Sequence, residues 1–103
     1  MSNGSQVRLL TVDDEEGIRS GITAYFEDSG YLVSEAEDGQ AALALIRQSP
    51  PDILITDLRM PNMDGLELIA AVTKEYDNLP IVVLSGTGVL ADAIDALRRG
   101  AWD

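Results

Sequence analysis

Cysteine and histidine are absent from this sequence of 103 residues, and lysine occurs once, as Lys74. The lack of cysteine excludes disulfide bonds and thiol nucleophiles, and the lack of histidine excludes imidazole zinc sites and Ser-His-Asp catalysis. Any chemistry of this chain must therefore use carboxylates, hydroxyls, arginine side chains or the one lysine.

Long apolar segments are also missing, because no run approaches the ~18 apolar residues that span a bilayer. Met1 to Gln6 are small and polar and lack the apolar core of a signal peptide. We therefore expect no membrane association and a cytoplasmic location. The expected organisation is a polar tail over residues 1–6 and one domain over residues 7–103.

Basic residues are few, since acidic residues outnumber them by 18 to 7 and the formal net charge is −11. Such a surface repels phosphate backbones and anionic membranes, so we expect no direct binding of nucleic acid or lipid. Hydrophobic residues make up 46% and charged residues 24% of the chain. At this length, that composition indicates a single globular domain.

Four short apolar runs divide the sequence, and each is a predicted strand. They cover residues 7–12, 31–36, 52–56 and 80–84. The first, third and fourth runs are almost continuously apolar, which is typical of strands buried on both faces of a parallel sheet.

Segments with helical spacing lie between these runs. In the first, Ile18, Ile22 and Phe26 share one face, and Gly30 is placed to end the helix as a left-handed cap. Further helices are predicted over residues 40–48 and 66–76, and a fourth begins near residue 89 and ends at Gly100. The alternation of strands and helices predicts an open α/β sheet with right-handed crossovers.

Acidic residues stand where two predicted strands end. Asp13 and Asp14 follow the first strand, Asp57 follows the third, and Ser85 follows the fourth. Ligands bind open α/β sheets at this edge, so the three carboxylates meet there if the first and third strands are neighbours. Two unit charges 4 Å apart repel by roughly 4 kcal/mol at an effective dielectric of ~20, and a hard cation such as Mg²⁺ would relieve that repulsion. The alternative is that these residues only cap the following helices.

Three segments resemble the receiver domain of bacterial two-component response regulators. They are LTVDDEE at residues 10–16, DILITDLRMPNMDG at residues 52–65 and IVVLSG at residues 81–86. The middle segment is highly specific, and the resemblance extends over residues 7–103. It implies a flavodoxin-like (CheY-like) doubly wound parallel sheet with strand order 2-1-3-4-(5), whose fifth strand and helix we expect to be missing from this chain.

The resemblance also implies a reaction. A sensor histidine kinase or a phosphotransfer protein would pass a phosphoryl group to Asp57, so the chain would be a phosphoacceptor of a phosphorelay and not an enzyme in its own right. Mg²⁺ would be held by Asp14, Asp57 and the backbone carbonyl of Arg59, with Asp13 assisting through a water molecule. An aspartate is an adequate nucleophile once the charge on the phosphoryl group is neutralised.

A switch is implied as well. The hydroxyl of Ser85 would hydrogen-bond a phosphoryl oxygen and draw the following loop inward, which would change the state of an output domain outside this chain. Arg59 and Thr87 would flank the pocket and tune the rate of dephosphorylation. Residues 86–102 further resemble receivers of stress sigma-factor regulators.

Receivers carry a lysine at the end of the fifth strand and an aromatic switch residue shortly before it, and this sequence ends before both. Lys74 lies on the predicted third helix and cannot replace that lysine, and Trp102 comes too early to be the aromatic. We therefore expect Mg²⁺ binding to persist while phosphorylation is slowed or poorly coupled to the switch. The uncovered apolar strand over residues 80–84 predicts dimerisation or strand exchange.

Other functions stay open at this point. Residues 86–91 fit a G-x-G-x-x-A dinucleotide turn, but too few residues follow to supply the acidic residue expected ~20 positions later. A Mg²⁺-dependent phosphohydrolase would need an acid-base residue near Asp57, such as a second aspartate at the position of Arg59. An interaction module that works without phosphorylation is the remaining alternative.

Overall fold

The computed structural model describes residues 6–58, 60 and 62–84. Its elements, in chain order, are β1 (Arg8–Val12), α1 (Glu16–Asp28), β2 (Leu32–Ala36), α2 (Gly39–Gln48), β3 (Ile53–Asp57), α3 (Gly65–Glu75) and β4 (Ile81–Leu84). This strict alternation confirms the predicted α/β class. The fourth predicted helix, from residue 89 to Gly100, lies outside the described residues. In the described part of the chain, no helix is long and apolar enough to cross a membrane.

The four strands form one parallel sheet in the order β2-β1-β3-β4, which confirms the predicted order 2-1-3-4. At the carboxyl end of β1, Val12 pairs with Ala36 of β2 on one side and with Thr56 of β3 on the other. The register therefore makes β1 and β3 finish at the same level. Asp13 and Asp57, which each follow one of these paired residues, are brought to the same edge of the sheet.

Helices cover both faces of the sheet and bury its two central strands, β1 and β3. Under α2 and α3 the buried apolar residues are Leu10, Val12, Ala36, Ala42, Leu43, Ile46, Leu54, Leu68 and Val72. Under α1 they are Leu9, Ile22, Phe26, Ile53, Ile55, Val82 and Leu84. The continuous apolar runs of the first and third strands are thus confirmed as strands buried on both faces. In β4 the burial is only partial, because Val83 is 36% exposed.

α1 ends as the sequence predicts. Gly30 has a φ of 95°, a left-handed conformation that a residue without a Cβ adopts at little cost. Its N–H donates to the carbonyl of Glu27 at 3.0 Å, and the N–H of Tyr31 donates to the carbonyl of Phe26 at 2.9 Å. These bonds satisfy carbonyls at the helix end and direct the chain into β2.

α2 and α3 each begin at a glycine, one residue earlier than predicted. The side chain of Asp38 caps α2, and Asp64 caps α3 in a capping box with Glu67. A Cβ at Gly65 would fall on the backbone carbonyl oxygen of Asp57, and a Cβ at Gly39 would fall on that of Met63. Glycine at these two positions therefore lets the helix starts lie directly against the loop that follows β3.

We expect Gly65→Ala to lower the free energy of unfolding by about 1–3 kcal/mol, because the added methyl must displace the backbone at Asp57. The matched control is Gly21→Ala inside α1, where a Cβ would have no neighbour within 4 Å. That change should stabilise the protein by about 0.5–1 kcal/mol, because alanine loses less backbone entropy than glycine in a helix. Denaturant midpoints measure both effects, and equal responses would contradict the close approach at Gly65.

Candidate functional site

Three carboxylates meet at the carboxyl edge of the sheet. One oxygen from each of Asp13, Asp14 and Asp57 lies within 4.8 Å of the others. Asp13 is only 2% exposed, Asp57 is half-buried and Asp14 is exposed to solvent. The group therefore forms a graded acidic cluster that is buried at one end and open to solvent at the other.

Backbone hydrogen bonds hold the two inner members of this acidic cluster. The N–H of Asp13 donates to the carbonyl of Ala36 at 3.2 Å, which continues the pairing of β1 with β2. The Asp13 carboxylate accepts the N–H of Glu15 at 2.9 Å, and the Asp57 carboxylate accepts the N–H of Leu58 at 2.8 Å. Each side chain is thus oriented by the backbone that follows its own strand.

Burial raises the pKa of the Asp13 carboxyl above its ordinary value. The hydrogen bond from the Glu15 N–H opposes this by favouring the charged form, whereas the negative charges of Asp57, Asp14 and Glu15 raise the pKa further. Ionised Asp13 is therefore under strain from both desolvation and like charges. A bound cation would remove that strain, and a set of carboxylate oxygens is the donor chemistry that a hard divalent metal prefers. The three residues fit a metal ion.

Hydrogen bonds join the loop after β3 to the start of α2. The side-chain amide of Asn62 donates to the carboxylate of Asp38 at 2.9 Å, and the N–H of Gly39 donates to the carbonyl of Met63 at 3.0 Å. Asn62 has a φ of 65°, which asparagine tolerates better than most residues. The hydrogen bonds from the Ala41 amide and Asn62 hold the pKa of Asp38 below its ordinary value, so the group that accepts these bonds is the ionised carboxylate.

Arg19 is a residue that the sequence did not single out. From α1 its guanidinium donates to the backbone carbonyl of Asp13 at 2.7 Å and to the carboxylate of Glu35 on β2 at 2.9 Å. Helical spacing marks Arg19 only as a polar position. Its partners become visible once the β1–β2 register is known, because that register pairs Glu35 with Thr11, two residues before Asp13.

Other candidate residues lie outside the described residues. They are Arg59, Ser85 and Thr87, together with the proposed dinucleotide turn at residues 86–91. Their assigned roles stay predictions.

The family model of the response regulator receiver domain matches residues 9–103. This chain belongs to the response regulator receiver family. It is 37% identical over 97 residues to the response regulator MprA of Mycolicibacterium vanbaalenii, covering 94% of this chain and 42% of that protein. The nitrogen assimilation regulatory protein NtrX of Azorhizobium caulinodans is also 37% identical, over 92% of this chain and 21% of that protein. The chain thus spans less than half the length of these relatives.

Solved receivers share the fold. The chemotaxis response regulator CheY4 of Vibrio cholerae superposes with a TM-score of 0.77 at 32% identity, covering 94% of this chain and 82% of that one. The receiver domain of NtrX from Brucella abortus gives a TM-score of 0.75 at 36% identity, covering 92% and 81%. The predicted family and the flavodoxin-like fold are both confirmed.

We expect Asp13→Asn to stabilise the metal-free receiver near neutral pH and to weaken Mg²⁺ binding about 10- to 100-fold. Asparagine can still accept the Glu15 N–H, but it carries no charge to desolvate. Because burial raises the pKa of Asp13, its ionisation costs stability as the pH rises through that raised value, and the cost is absent below the ordinary value of 3.8. The gain in melting temperature should therefore shrink as the pH falls towards that value.

The matched control is Asp77→Asn, which removes one carboxylate from the exposed turn between α3 and β4 at the opposite edge of the sheet. It should leave Mg²⁺ affinity unchanged in calorimetric titrations and alter the melting temperature little. Equal losses of Mg²⁺ affinity in both variants would assign the effect to net charge and contradict a site at Asp13.

Proposed function

We propose that this receiver accepts a phosphoryl group on Asp57 from a phosphohistidine of a sensor kinase, or of a phosphotransfer protein, in a Mg²⁺-dependent reaction. The observation that carries the proposal is the convergence of Asp13, Asp14 and Asp57 within 4.8 Å at the carboxyl edge of the sheet. Membership of the receiver family supports the assignment. The reaction takes place in the cytoplasm, and the net charge of −11 argues against direct binding of nucleic acid by this domain.

Asp57 is the member of the acidic cluster best suited to be the nucleophile. Asp13 is too deeply buried to meet a donor on another protein, since 2% of its surface is exposed. Asp14 is exposed to solvent, whereas Asp57 is half-buried, and its carboxylate is oriented by the N–H of Leu58. A fixed but accessible oxygen is what an in-line attack on phosphorus requires.

The reaction transfers the phosphoryl group from a phosphorus–nitrogen bond of the donor to a phosphorus–oxygen bond on Asp57. A carboxylate oxygen of Asp57 bonds to phosphorus while the bond from phosphorus to the donor imidazole nitrogen breaks, so the electron pair stays with the imidazole. The product is an acyl phosphate on Asp57. Asp14, Asp57 and the carbonyl of Arg59 would hold Mg²⁺, with Asp13 acting through a water molecule, and the ion would supply positive charge that offsets the negative charge of the phosphoryl oxygens.

The new charge then operates a switch. A phosphoryl group adds about −1.5 to −2 charge at neutral pH, which recruits nearby hydrogen-bond donors. The Ser85 hydroxyl donates a hydrogen bond to a phosphoryl oxygen. Arg59 and Thr87 flank the pocket and control how easily water reaches the acyl phosphate. Because the chain spans less than half of its curated relatives, the output domain that responds belongs to a longer protein.

Asp57→Asn should abolish labelling by a small-molecule phosphodonor such as acetyl phosphate, because the amide is not a nucleophile. In the unaltered chain we expect a Mg²⁺-dependent mass gain of one phosphoryl group that hydroxylamine removes, as it does from acyl phosphates. Asp52→Asn is the matched control just before the amino end of the same strand, where the carboxylate accepts the Arg8 N–H. It should be labelled like the unaltered chain.

Three outcomes would overturn the proposal. Labelling that survives in Asp57→Asn would place the acceptor elsewhere, and continuous release of phosphate from the donor would indicate a phosphohydrolase. An unaltered chain that takes up neither a phosphoryl group nor its mimic beryllofluoride in the presence of Mg²⁺ would indicate an interaction module that works without phosphorylation.

A further inference from the structure

Arg19 is a cation placed behind the acidic cluster and yet bonded to none of its carboxylates. Its Nη1 donates to the main-chain carbonyl of Asp13 at 2.7 Å, and its Nε donates to the Glu35 carboxylate at 2.9 Å. The side chain of Arg19 is 16% exposed, whereas that of Glu35 is 37% exposed. The Arg19 guanidinium is thus shared between the strand end that carries the site and a carboxylate outside it.

We propose that Arg19 is a positioning residue for the metal site, and that Glu35 keeps its guanidinium away from the acidic cluster. This inference rests on the proposed Mg²⁺-dependent function. With the Asp13 N–H bonded to Ala36 and the Asp13 carbonyl bonded to Arg19, both polar groups of this residue's main chain are held. The turn that presents Asp13 and Asp14 is thereby kept in a geometry that the like charges of the cluster would otherwise open.

Glu35 determines which acceptors the Arg19 guanidinium bonds. Without a partner on β2, the guanidinium would gain most by pairing with the carboxylates of the cluster, because charge-assisted bonds are about twice as strong as neutral ones. It would then occupy the oxygens that a metal needs. Pairing with Glu35 leaves the guanidinium able to donate to a neutral carbonyl while the cluster keeps its charge.

The geometry also explains why arginine serves here. Its planar fork has five N–H groups in fixed directions, so Nε and Nη1 can reach two different acceptors at once. A lysine ammonium is a point charge on a flexible stem and cannot hold both partners in this arrangement.

A positioning role and a purely electrostatic role of Arg19 predict opposite changes in the Mg²⁺ affinity of Arg19→Met. If Arg19 acts only through its charge, Arg19→Met removes a repulsive cation near the site and Mg²⁺ should bind more tightly. If Arg19 positions the Asp13 turn, the same change should weaken Mg²⁺ binding by about tenfold or more, as loss of supporting residues does at other metal sites.

Calorimetric Mg²⁺ titration of Arg19→Met is therefore the decisive measurement, and Arg47→Met is the matched control. Arg47 pairs with Glu75 at 2.6 Å between the far ends of α2 and α3, so this control loses the same charge and an ion pair of the same type. We expect weakened Mg²⁺ binding in Arg19→Met, unchanged binding in Arg47→Met, and a loss in Arg19→Lys close to that in Arg19→Met. Binding in Arg19→Met that equals or exceeds that of the unaltered protein would overturn the proposal, as would full rescue by lysine.

Glu35→Gln tests the role given to Glu35. It also gives a test that does not depend on the folding of an Arg19 variant, because Glu35 lies at the solvent-exposed side of β2. It should weaken Mg²⁺ binding when Arg19 is present and have no further effect in the Arg19→Met background. Equal effects in both backgrounds would overturn the role given to Glu35. If the unaltered protein neither binds Mg²⁺ nor is labelled at Asp57, the proposed function itself is refuted. If labelling is normal and Arg19→Met binds Mg²⁺ as tightly as the unaltered protein, this inference alone is refuted.

Discussion

Repulsion between three carboxylates is the interaction on which the rest of this structure depends. At about 4.8 Å and an effective dielectric of ~20, each pair of full charges repels by roughly 3–4 kcal/mol. The parallel register of β1 and β3 imposes this separation, because it brings Val12 level with Thr56 and hence Asp13 close to Asp57. Among the described residues, the Asp13 and Asp57 carboxylates accept hydrogen bonds from backbone N–H groups, and Arg19 bonds the main-chain carbonyl of Asp13.

The surrounding fold resists that repulsion through burial. β1 and β3 are enclosed on both faces by apolar side chains, so the strand ends cannot separate without opening two packed layers. α3 starts directly against Asp57 because Gly65 has no side chain to hold the two apart. The free energy that packing supplies thus maintains an arrangement of charge that is unfavourable by itself, as is common at functional sites.

Most of the fold was predictable because its signals are local. Continuous apolarity marked β1 and β3, and Gly30 marked the end of α1 through its backbone preference alone. The acidic cluster was predictable in outline, since residues that follow parallel strands must share one edge. The hydrogen bonds of Arg19 and Asn62 were not predictable, because each joins segments 16 or 24 residues apart whose meeting depends on the packed arrangement of helices on the sheet.

Two arginine–glutamate pairs in the described part of the chain show that the effect of an ion pair depends on where it lies. Pairs at a protein surface contribute a median of about 0–1 kcal/mol, so neither pair matters much to stability through its Coulomb energy. Arg47 and Glu75 join the far ends of two helices and affect only that contact. Arg19 on α1 and Glu35 on β2 form a pair beside the acidic edge, and the same guanidinium bonds the main-chain carbonyl of Asp13. The importance of the second pair therefore lies in the position of one turn, where a small displacement would change the distances between the site's charged oxygens.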